Sequence, residues 1–357
     1  MKVRGLTVRP VDVPLRRPLQ TAGGLVATAP LVLLDLHTTA DITGSSYVFC
    51  YTPIALQPLT SLLRNLDDVI RDGDAAPLAL EQTLQSRFRL LGPQGLTGMA
   101  CAAIDMAAWD AAAKAARVPL ARLLGASLDP IPAYNSCGLG LIGPDRARVE
   151  AVELLDRGFR ALKVRLGYPD LETDLAVVRA VREGIGPDIL LMSDYNQSLS
   201  VPEAIRRIRA LDDERLAWVE EPVAATDYTG HAQVRAAVRT PIQTGENWWG
   251  TPDMSKSVAA GASDFVMADA TKIGGPSGWL RAASLAAACA LPLSSHLLPE
   301  ISTHLLAASP TRHWLEYVDF ASPILQQPVR IENGHAVLSG APGAGIAWDE
   351  SAIALLA

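Results

Sequence analysis

The sequence predicts an α/β fold, a βα barrel preceded by a smaller α+β unit, and three observations carry that prediction. After Pro130, short apolar segments alternate with helical stretches at roughly the 20 to 30 residue repeat of a βα barrel. Before Pro130 the order differs, strands first and helices afterwards, as in an α+β unit. Asp194, Glu220, Glu246, Asp269, His296 and Glu316 each close one of the later apolar segments, at the strand ends where barrels carry their chemistry.

At 357 residues the chain exceeds one ordinary domain. The expected division is an α+β capping domain over residues 1–128, a barrel over 129–320, and a C-terminal segment, 321–357, that packs back on the capping domain. A hydrophobic fraction of 49% with 19% charged residues describes a soluble globular chain with ample core. The net charge of −7 is spread without a basic stripe, which argues against nucleic acid and membrane surfaces as partners. Met1-Lys2-Val3-Arg4 lacks the apolar run of a signal peptide, and no apolar run reaches membrane-spanning length. Cys50, Cys101, Cys137 and Cys289 lack metal-ligand spacing and suit a reduced, cytoplasmic setting.

Residues 3–9, 11–15 and 31–36 alternate as paired strands. Between them, about residues 19–29, the chain is small, uncharged and contains Gly23-Gly24. That composition fits an ordinary hairpin loop or a mobile flap closing over a ligand. Leu59, Leu62, Leu66, Val69 and Ile70 then mark one amphipathic helix, residues 81–91 a second, and the alanine-rich 97–114 a third that stops before Pro119. Asp105 and Asp110 in the third either face solvent or meet a barrel helix. Barrel strands are expected around 131–134, 162–164, 189–192, 216–219, 241–244, 265–267, 291–293 and 314–316. No Gly-x-Gly-x-x-Gly follows an early strand, which weakens a dinucleotide-binding alternative. Short strands at 329–331 and 335–338 end the pattern.

The strand around Lys163 organises the chemistry. Strand side chains alternate, so Lys163 and Arg165 point to one side while Leu162, Val164 and Leu166 point to the other. Two buried cations call for an anion. Asp194, Glu220 and Glu246 on successive strand ends would repel unless a cation sat among them, and three oxygen ligands suit Mg²⁺, with Mn²⁺ as the alternative. Alternation lets only one of Glu220 and Glu221 face inward. Asp269 lies within reach of His296 on the next strand, where a carboxylate would fix the imidazole for proton transfer. Glu316 follows. Together these groups suit proton abstraction α to a carboxylate, whose aci-carboxylate form needs a divalent metal, the Lys163 cation and a hydrogen-bond donor, here a protonated Glu316.

The motifs resemble the enolase superfamily, and within it the mandelate racemase subgroup, over nearly the whole chain. The matching runs include Thr28-Ala29-Pro30-Leu31, Tyr51-Thr52-Pro53, Ile104-Asp105-Met106, Asp194-Tyr195-Asn196-Gln197, Gly245-Glu246-Asn247-Trp248, Lys272-Ile273-Gly274-Gly275 and Ser294-Ser295-His296-Leu297. The resemblance implies a modified TIM (β/α)7β barrel with a capping domain completed by the C-terminal tail. It implies metal ligands at Asp194, Glu220 and Glu246, a dyad of His296 and Asp269, and carboxylate-binding groups at Glu316 and Lys163. Asn196 would lie near a substrate hydroxyl, Ser136 and Lys272 at the site, and Leu19, Val26 and Tyr51 in an apolar pocket under the flap. The implied activity is Mg²⁺-dependent racemisation of mandelate or a related aryl or apolar 2-hydroxy acid, in a symmetric homo-oligomer such as an octamer.

One position departs from the subgroup, which carries Lys-x-Lys where this chain has Lys163-Val164-Arg165. Racemisation needs a base on each face of the carbon, and a guanidinium pKa above about 12 makes neutral arginine scarce. Arg165 acts as a slow second base, or His296 works alone in a dehydration of a hydroxy or sugar acid, or Arg165 only holds an anionic group. Gly23, where the subgroup has a larger apolar residue, leaves room for a bulkier substrate.

Overall fold

The computed structural model describes residues 1–356. Its first unit is an antiparallel sheet of β1 (Val3–Thr21), β2 (Gly24–Thr38) and β3 (Thr43–Phe49). Four helices accompany it: α1 (Pro53–Ile70), α2 (Pro77–Arg87), α3 (Gly95–Ala115) and the single turn α4 (Leu120–Leu123). Thr52 caps α1 by accepting from the Ile54 amide, and Leu59, Leu63, Leu66 and Ile70 form its buried stripe. Helix α3 is buried on nearly all sides because it lies between β3 and the barrel, which its small residues permit. Both of its aspartates are buried. Asp105 accepts from the Ser277 amide (2.9 Å) and hydroxyl (2.7 Å) in the first turn of a barrel helix. Asp110 accepts from the amides of Ser45 (2.8 Å) and Ala344 (2.6 Å) and pairs with Lys114, joining three parts of the chain.

The stretch expected as a flap is the tip of the β1–β2 hairpin. Leu19 pairs with Val26, Gln20 with Leu25 and Thr21 with Gly24, leaving Ala22-Gly23 as a two-residue turn. The flap is therefore a paired ribbon, not a free loop. Gly24, with φ of 127°, supplies the backbone conformation the turn requires.

Eight strands then alternate with seven helices. The strands are β4 (Ile131–Asn135), β5 (Ala161–Arg165), β6 (Leu190–Asp194), β7 (Leu216–Glu220), β8 (Ile242–Thr244), β9 (Phe265–Asp269), β10 (Leu293–His296) and β11 (Leu315–Tyr317). The helices between them are α5 (Pro144–Glu153), α6 (Leu171–Ile185), α7 (Val201–Leu211), α8 (Tyr228–Ala237), α9 (Thr251–Ala259), α10 (Gly275–Ala288) and α11 (Pro299–Ala307). Strands β4 to β10 pair in parallel in sequence order. Strand β11 closes the ring by pairing with β4 (Glu316 opposite Tyr134) and by accepting the Ser295 amide at the Trp314 carbonyl, 3.0 Å. The result is a (β/α)7β barrel under an α+β cap. Tyr134, Ala161, Met192 and Trp218 fill its floor, while Leu162, Val164, Leu191 and Val219 turn outward onto the helices.

The C-terminal segment divides, where the sequence suggested that it packs as one piece on the cap. Strands β12 (Arg330–Glu332) and β13 (His335–Val337) form a hairpin, and β13 pairs with the start of β4, extending the barrel sheet. Beyond it the chain does return to the cap. The Leu120 amide donates to the Gly343 carbonyl and the Trp348 indole to Asp35, both at 2.8 Å, before the last helix, α12 (Glu350–Ala354). No described helix is long and apolar enough to cross a membrane.

Candidate active site

Alternation along β5 sends Ala161, Lys163 and Arg165 into the barrel, and the two cations meet different partners. Lys163 is 1% exposed, and its ammonium lies 2.7 Å from Glu220, 2.7 Å from Glu316 and 3.5 Å from Asp194. Arg165, 5% exposed, has no carboxylate within ion-pair distance among the described residues. Its Nη1 donates to the carbonyls of Gly138 (2.7 Å) and Ser136 (3.1 Å), and its Nη2 donates to the Ser136 hydroxyl (2.7 Å).

Asp194 ends β6 and Glu220 ends β7. Glu246 reaches the same point from two residues beyond β8, because Gly245 (φ 130°) lets the chain pass the Met267 carbonyl, which a Cβ would meet at 2.2 Å. One oxygen from each acid lies within 4.8 Å of the others, and all three residues are buried. Burial and mutual repulsion push Asp194 and Glu220 above the carboxylate range, against the pull of Lys163. Glu246 moves the other way: burial would raise it, but His296, Lys163 and Lys272 hold it down. Three converged carboxylate oxygens with unrelieved repulsion fit a hard divalent cation, and Mg²⁺ suits the donor set. Asn196, in a left-handed conformation, steadies Asp194 through its amide (2.7 Å) and side-chain nitrogen (2.9 Å).

Glu221, the other of the paired glutamates, stands outside the acidic triad and outside the cavity lining, behind Asn247. Its φ of 32° breaks the alternation past the end of β7. The side chain accepts from Asn247 (2.6 Å), and burial together with Glu246 pushes its carboxyl up to about 8. The other end of the Asn247 amide accepts from Lys272 (2.5 Å), whose ammonium also lies 4.0 Å above the Tyr51 ring.

His296 closes β10 beside Asp269 on β9, with Nδ1 to Oδ2 at 2.8 Å. The same oxygen accepts from the Tyr51 hydroxyl (2.7 Å), while Oδ1 accepts the amides of Thr271 and Lys272. Asp269 thus fixes the imidazole with Nδ1–H toward itself and Nε2 toward the cavity, 3.3 Å from Glu246 and 3.9 Å from Glu316. Burial alone would lower the imidazole pKa, but Glu246, Glu316 and Asp269 push it up to about 9. Only neutral imidazole accepts a proton, so activity is expected to rise with pH through the His296 titration and to fall away below it. A cation bound at Glu246 removes part of the negative field. Adding Mg²⁺ is therefore expected to move the His296 titration, followed by NMR, to lower pH; no shift would separate the two sites electrostatically.

Glu316 sits among three donors. Its Oε1 accepts from the Ser136 hydroxyl (2.8 Å) and Lys163, and its Oε2 accepts from the Leu297 amide (3.0 Å). Against burial, Lys163 and His296 hold its carboxyl well below the usual range.

These groups surround a cavity of about 270 Å³. Lys163, Arg165, Asp194, Asn196, Glu246, Lys272, His296 and Glu316 line it, and Leu19, Val26 and Tyr51 form part of its wall. Glu220, Asp269 and Ser136 sit one layer behind, and the Ser136 hydroxyl is already engaged with Glu316. Sequence reasoning missed Phe49, Leu297, Val318 and Phe320, which complete the apolar wall. Period-two alternation offered a signal for three of them, since Phe49 precedes Tyr51 by two residues and Val318 and Phe320 follow Glu316 by two and four. Larger cavities at the cap–barrel seam (about 610 Å³) and beneath the tail (about 540 Å³) reach none of the strand-end carboxylates.

Comparison with known proteins agrees with this architecture. Residues 3–125 match the mandelate racemase / muconate lactonizing enzyme N-terminal domain, and residues 146–352 match the enolase C-terminal domain-like family. A structure of an enolase from Bradyrhizobium complexed with magnesium and mandelic acid is 45% identical, with a TM-score of 0.95 over 99% of this chain and 98% of that one. An enolase from alpha proteobacterium BAL199 with bound magnesium is 39% identical, with a TM-score of 0.97 over 99% of both chains. An L-talarate/galactarate dehydratase from Salmonella typhimurium is 36% identical over 73% of this chain and 66% of its own length. With both of its units matched, the chain belongs to the mandelate racemase/enolase superfamily.

Proposed function

We propose that the protein binds Mg²⁺ and abstracts the α-proton of a 2-hydroxy carboxylate, and that its reaction is racemisation of mandelate or a related aryl or apolar 2-hydroxy acid. The observation that carries this reading is the pairing of an oriented base with a carboxylate cradle in one cavity. Nε2 of His296 faces the space bounded by Lys163 and Glu316. When bound at Asp194, Glu220 and Glu246, the metal supplies positive charge beside the substrate carboxylate. Lys163 adds a second positive charge, and His296 takes the proton at Nε2 while Asp269 steadies the imidazolium. With the substrate carboxylate bound beside it, Glu316 takes up a proton from solvent before the site closes and then donates a hydrogen bond to that carboxylate. Phe49, Phe320, Leu19 and Val26 exclude water and favour an apolar substituent. A relative crystallised with mandelic acid and magnesium supports the same class.

A second reading, dehydration of a hydroxy or sugar acid by His296 alone, is favoured by one observation. Nη1 and Nη2 of Arg165 are engaged with Ser136 and Gly138, and a guanidinium held as a donor is a poor proton acceptor, whereas His296 is oriented as a base. The dehydratase relative from Salmonella typhimurium supports it as well.

Proton exchange in D₂O on each enantiomer of mandelate, followed by NMR, tests the proposal. The enantiomer whose α-hydrogen faces His296 is expected to exchange first, and net racemisation to be limited by the Arg165 face. If neither enantiomer exchanges, the aryl hydroxy acid assignment fails. Formation of a 2-keto acid from a 2,3-dihydroxy acid, detected with semicarbazide, would select the dehydratase reading.

A further inference from the structure

We propose that Arg165 is a positioning residue, a clamp that holds residues 136–141 so that one end of the loop aims Ser136 at Glu316 and the other end pins the flap hairpin. Four bonds run from this residue to the loop. Its amide donates to the Leu139 carbonyl (2.8 Å), and its guanidinium donates to both carbonyls and the hydroxyl at Ser136 and Gly138. Because Nη2 donates to the Ser136 oxygen, the Ser136 proton must point away from Arg165, and it points to Glu316.

The far end of the same loop grips the cap. The Leu141 amide donates to the Gln20 carbonyl at 2.7 Å, across the base of the hairpin tip. Gly140 makes that contact feasible, since a Cβ there would meet the Gln20 carbonyl oxygen at 2.6 Å and its nitrogen at 2.9 Å. Gly167, two residues beyond Arg165, gives the tip a second seat: a Cβ there would meet that of Ala22 at 3.2 Å. Leu139, between the two ends, has φ of 53°, a conformation that a leucine keeps only when its neighbours impose it. Arg165 thus ties the carboxylate end of the cavity, through Ser136 and Glu316, to its apolar lid, through Gln20, Leu19 and Val26. An arginine suits the task because its rigid planar fork fixes the directions of its donors, whereas the three donors of an ammonium rotate on a flexible stem. The clamp serves racemisation and dehydration alike.

Hydrogen exchange on the substrate-free protein tests the clamp directly. In Gly140→Ala, the amides of Leu141 and of the hairpin tip at Gln20 to Leu25 are expected to exchange about tenfold faster, with the rest of β1 and β2 unchanged. Arg165→Lys is expected to speed the same amides, because the charge remains and the fork is lost. Gly140→Ala is also expected to raise KM by a larger factor than it lowers kcat, as a loosened lid does. Wild-type exchange at Leu141 and the tip in Gly140→Ala would break the link between loop and flap. Wild-type exchange in a folded Arg165→Lys would remove Arg165 from it. If Arg165→Lys fails to fold, Arg165→Gln takes its place, and wild-type exchange of the same amides there would likewise remove Arg165 from the link. Exchange is read without substrate, so it stands apart from whether any 2-hydroxy acid turns over.

Discussion

Replacing His296 with asparagine is expected to lower α-proton exchange of one mandelate enantiomer about 10⁴-fold, equivalent to about 5.5 kcal/mol of barrier. The asymmetry is the informative part. Asparagine keeps a donor toward Asp269 and fills most of the imidazole's space, so cap and barrel should hold their places. The ability to accept a proton from the substrate is what disappears. The enantiomer whose hydrogen faces Arg165 should keep whatever slow exchange it had, to within about tenfold, because that side loses no group. Equal loss on both faces would mean that His296 serves the binding of both enantiomers and is not the base of one. Asp269→Asn gives a graded companion. It removes the acceptor that fixes Nδ1–H toward β9, so the base survives in a disordered tautomer and activity should fall about 10²- to 10³-fold.

The second large effect is expected from Glu220→Gln. Glu220 is fully buried, and its two oxygens accept from Lys163 (2.7 Å), the Trp218 indole (3.2 Å) and the Gln243 amide (3.2 Å). The glutamine is nearly the same shape but carries no charge. It also brings two N–H donors into a site built from donors aimed at an anion. Calorimetric Mg²⁺ affinity is expected to fall at least about 100-fold and turnover about 10³-fold. The stability change has the opposite sign without metal, since one buried, repelled carboxylate is gone. In EDTA the variant should melt at or above the wild-type temperature. In saturating Mg²⁺ the wild type should gain about 3 kcal/mol at a hundredfold excess over Kd, and the variant almost none. Equal stabilisation of the two proteins by Mg²⁺ would mean that the cation binds elsewhere.

The barrel was legible in the sequence because its signals are local. A parallel strand buried on both faces must be a short apolar run, and a functional side chain must sit at its carboxyl end, so Asp194, Glu220, Asp269, His296 and Glu316 could be picked without knowing how the sheet closed. Lys163 and Arg165 on one side followed from the strand period alone. Periodicity said least about the geometry past a strand's end. Glu221 reaches Asn247 because its backbone turns left-handed, and no periodicity continues through such a residue. At residues 19–29 the composition allowed a hairpin loop or a flap, and the hairpin is what forms. Pairing across it is set by register with a strand on the far side of the turn. Sequence alone gave no view of Ser136 and Leu297 as donors aimed at Glu316. The tail hairpin attached to β4 because that strand's first residues, Ile131 and Pro132, had an edge to offer, a fact of closure and not of composition.

The pocket's apolar wall draws on Leu19 near one end of the chain and on Phe320 near the other, and the Trp348 indole is bound to Asp35 across almost the entire sequence. Contacts so distant in sequence carry a large loop-closure cost and form late. A chain emerging from the ribosome can pair β1 with β2 at once, and it can collect its acids strand by strand. It cannot build a dry chamber until Phe320 has been added and the tail has returned to the cap. Vectorial synthesis therefore leaves a nascent barrel with its charged groups facing water. Solvent can neutralise the repulsion among those carboxylates during that interval, and desolvation is postponed until the partners that compensate it are present.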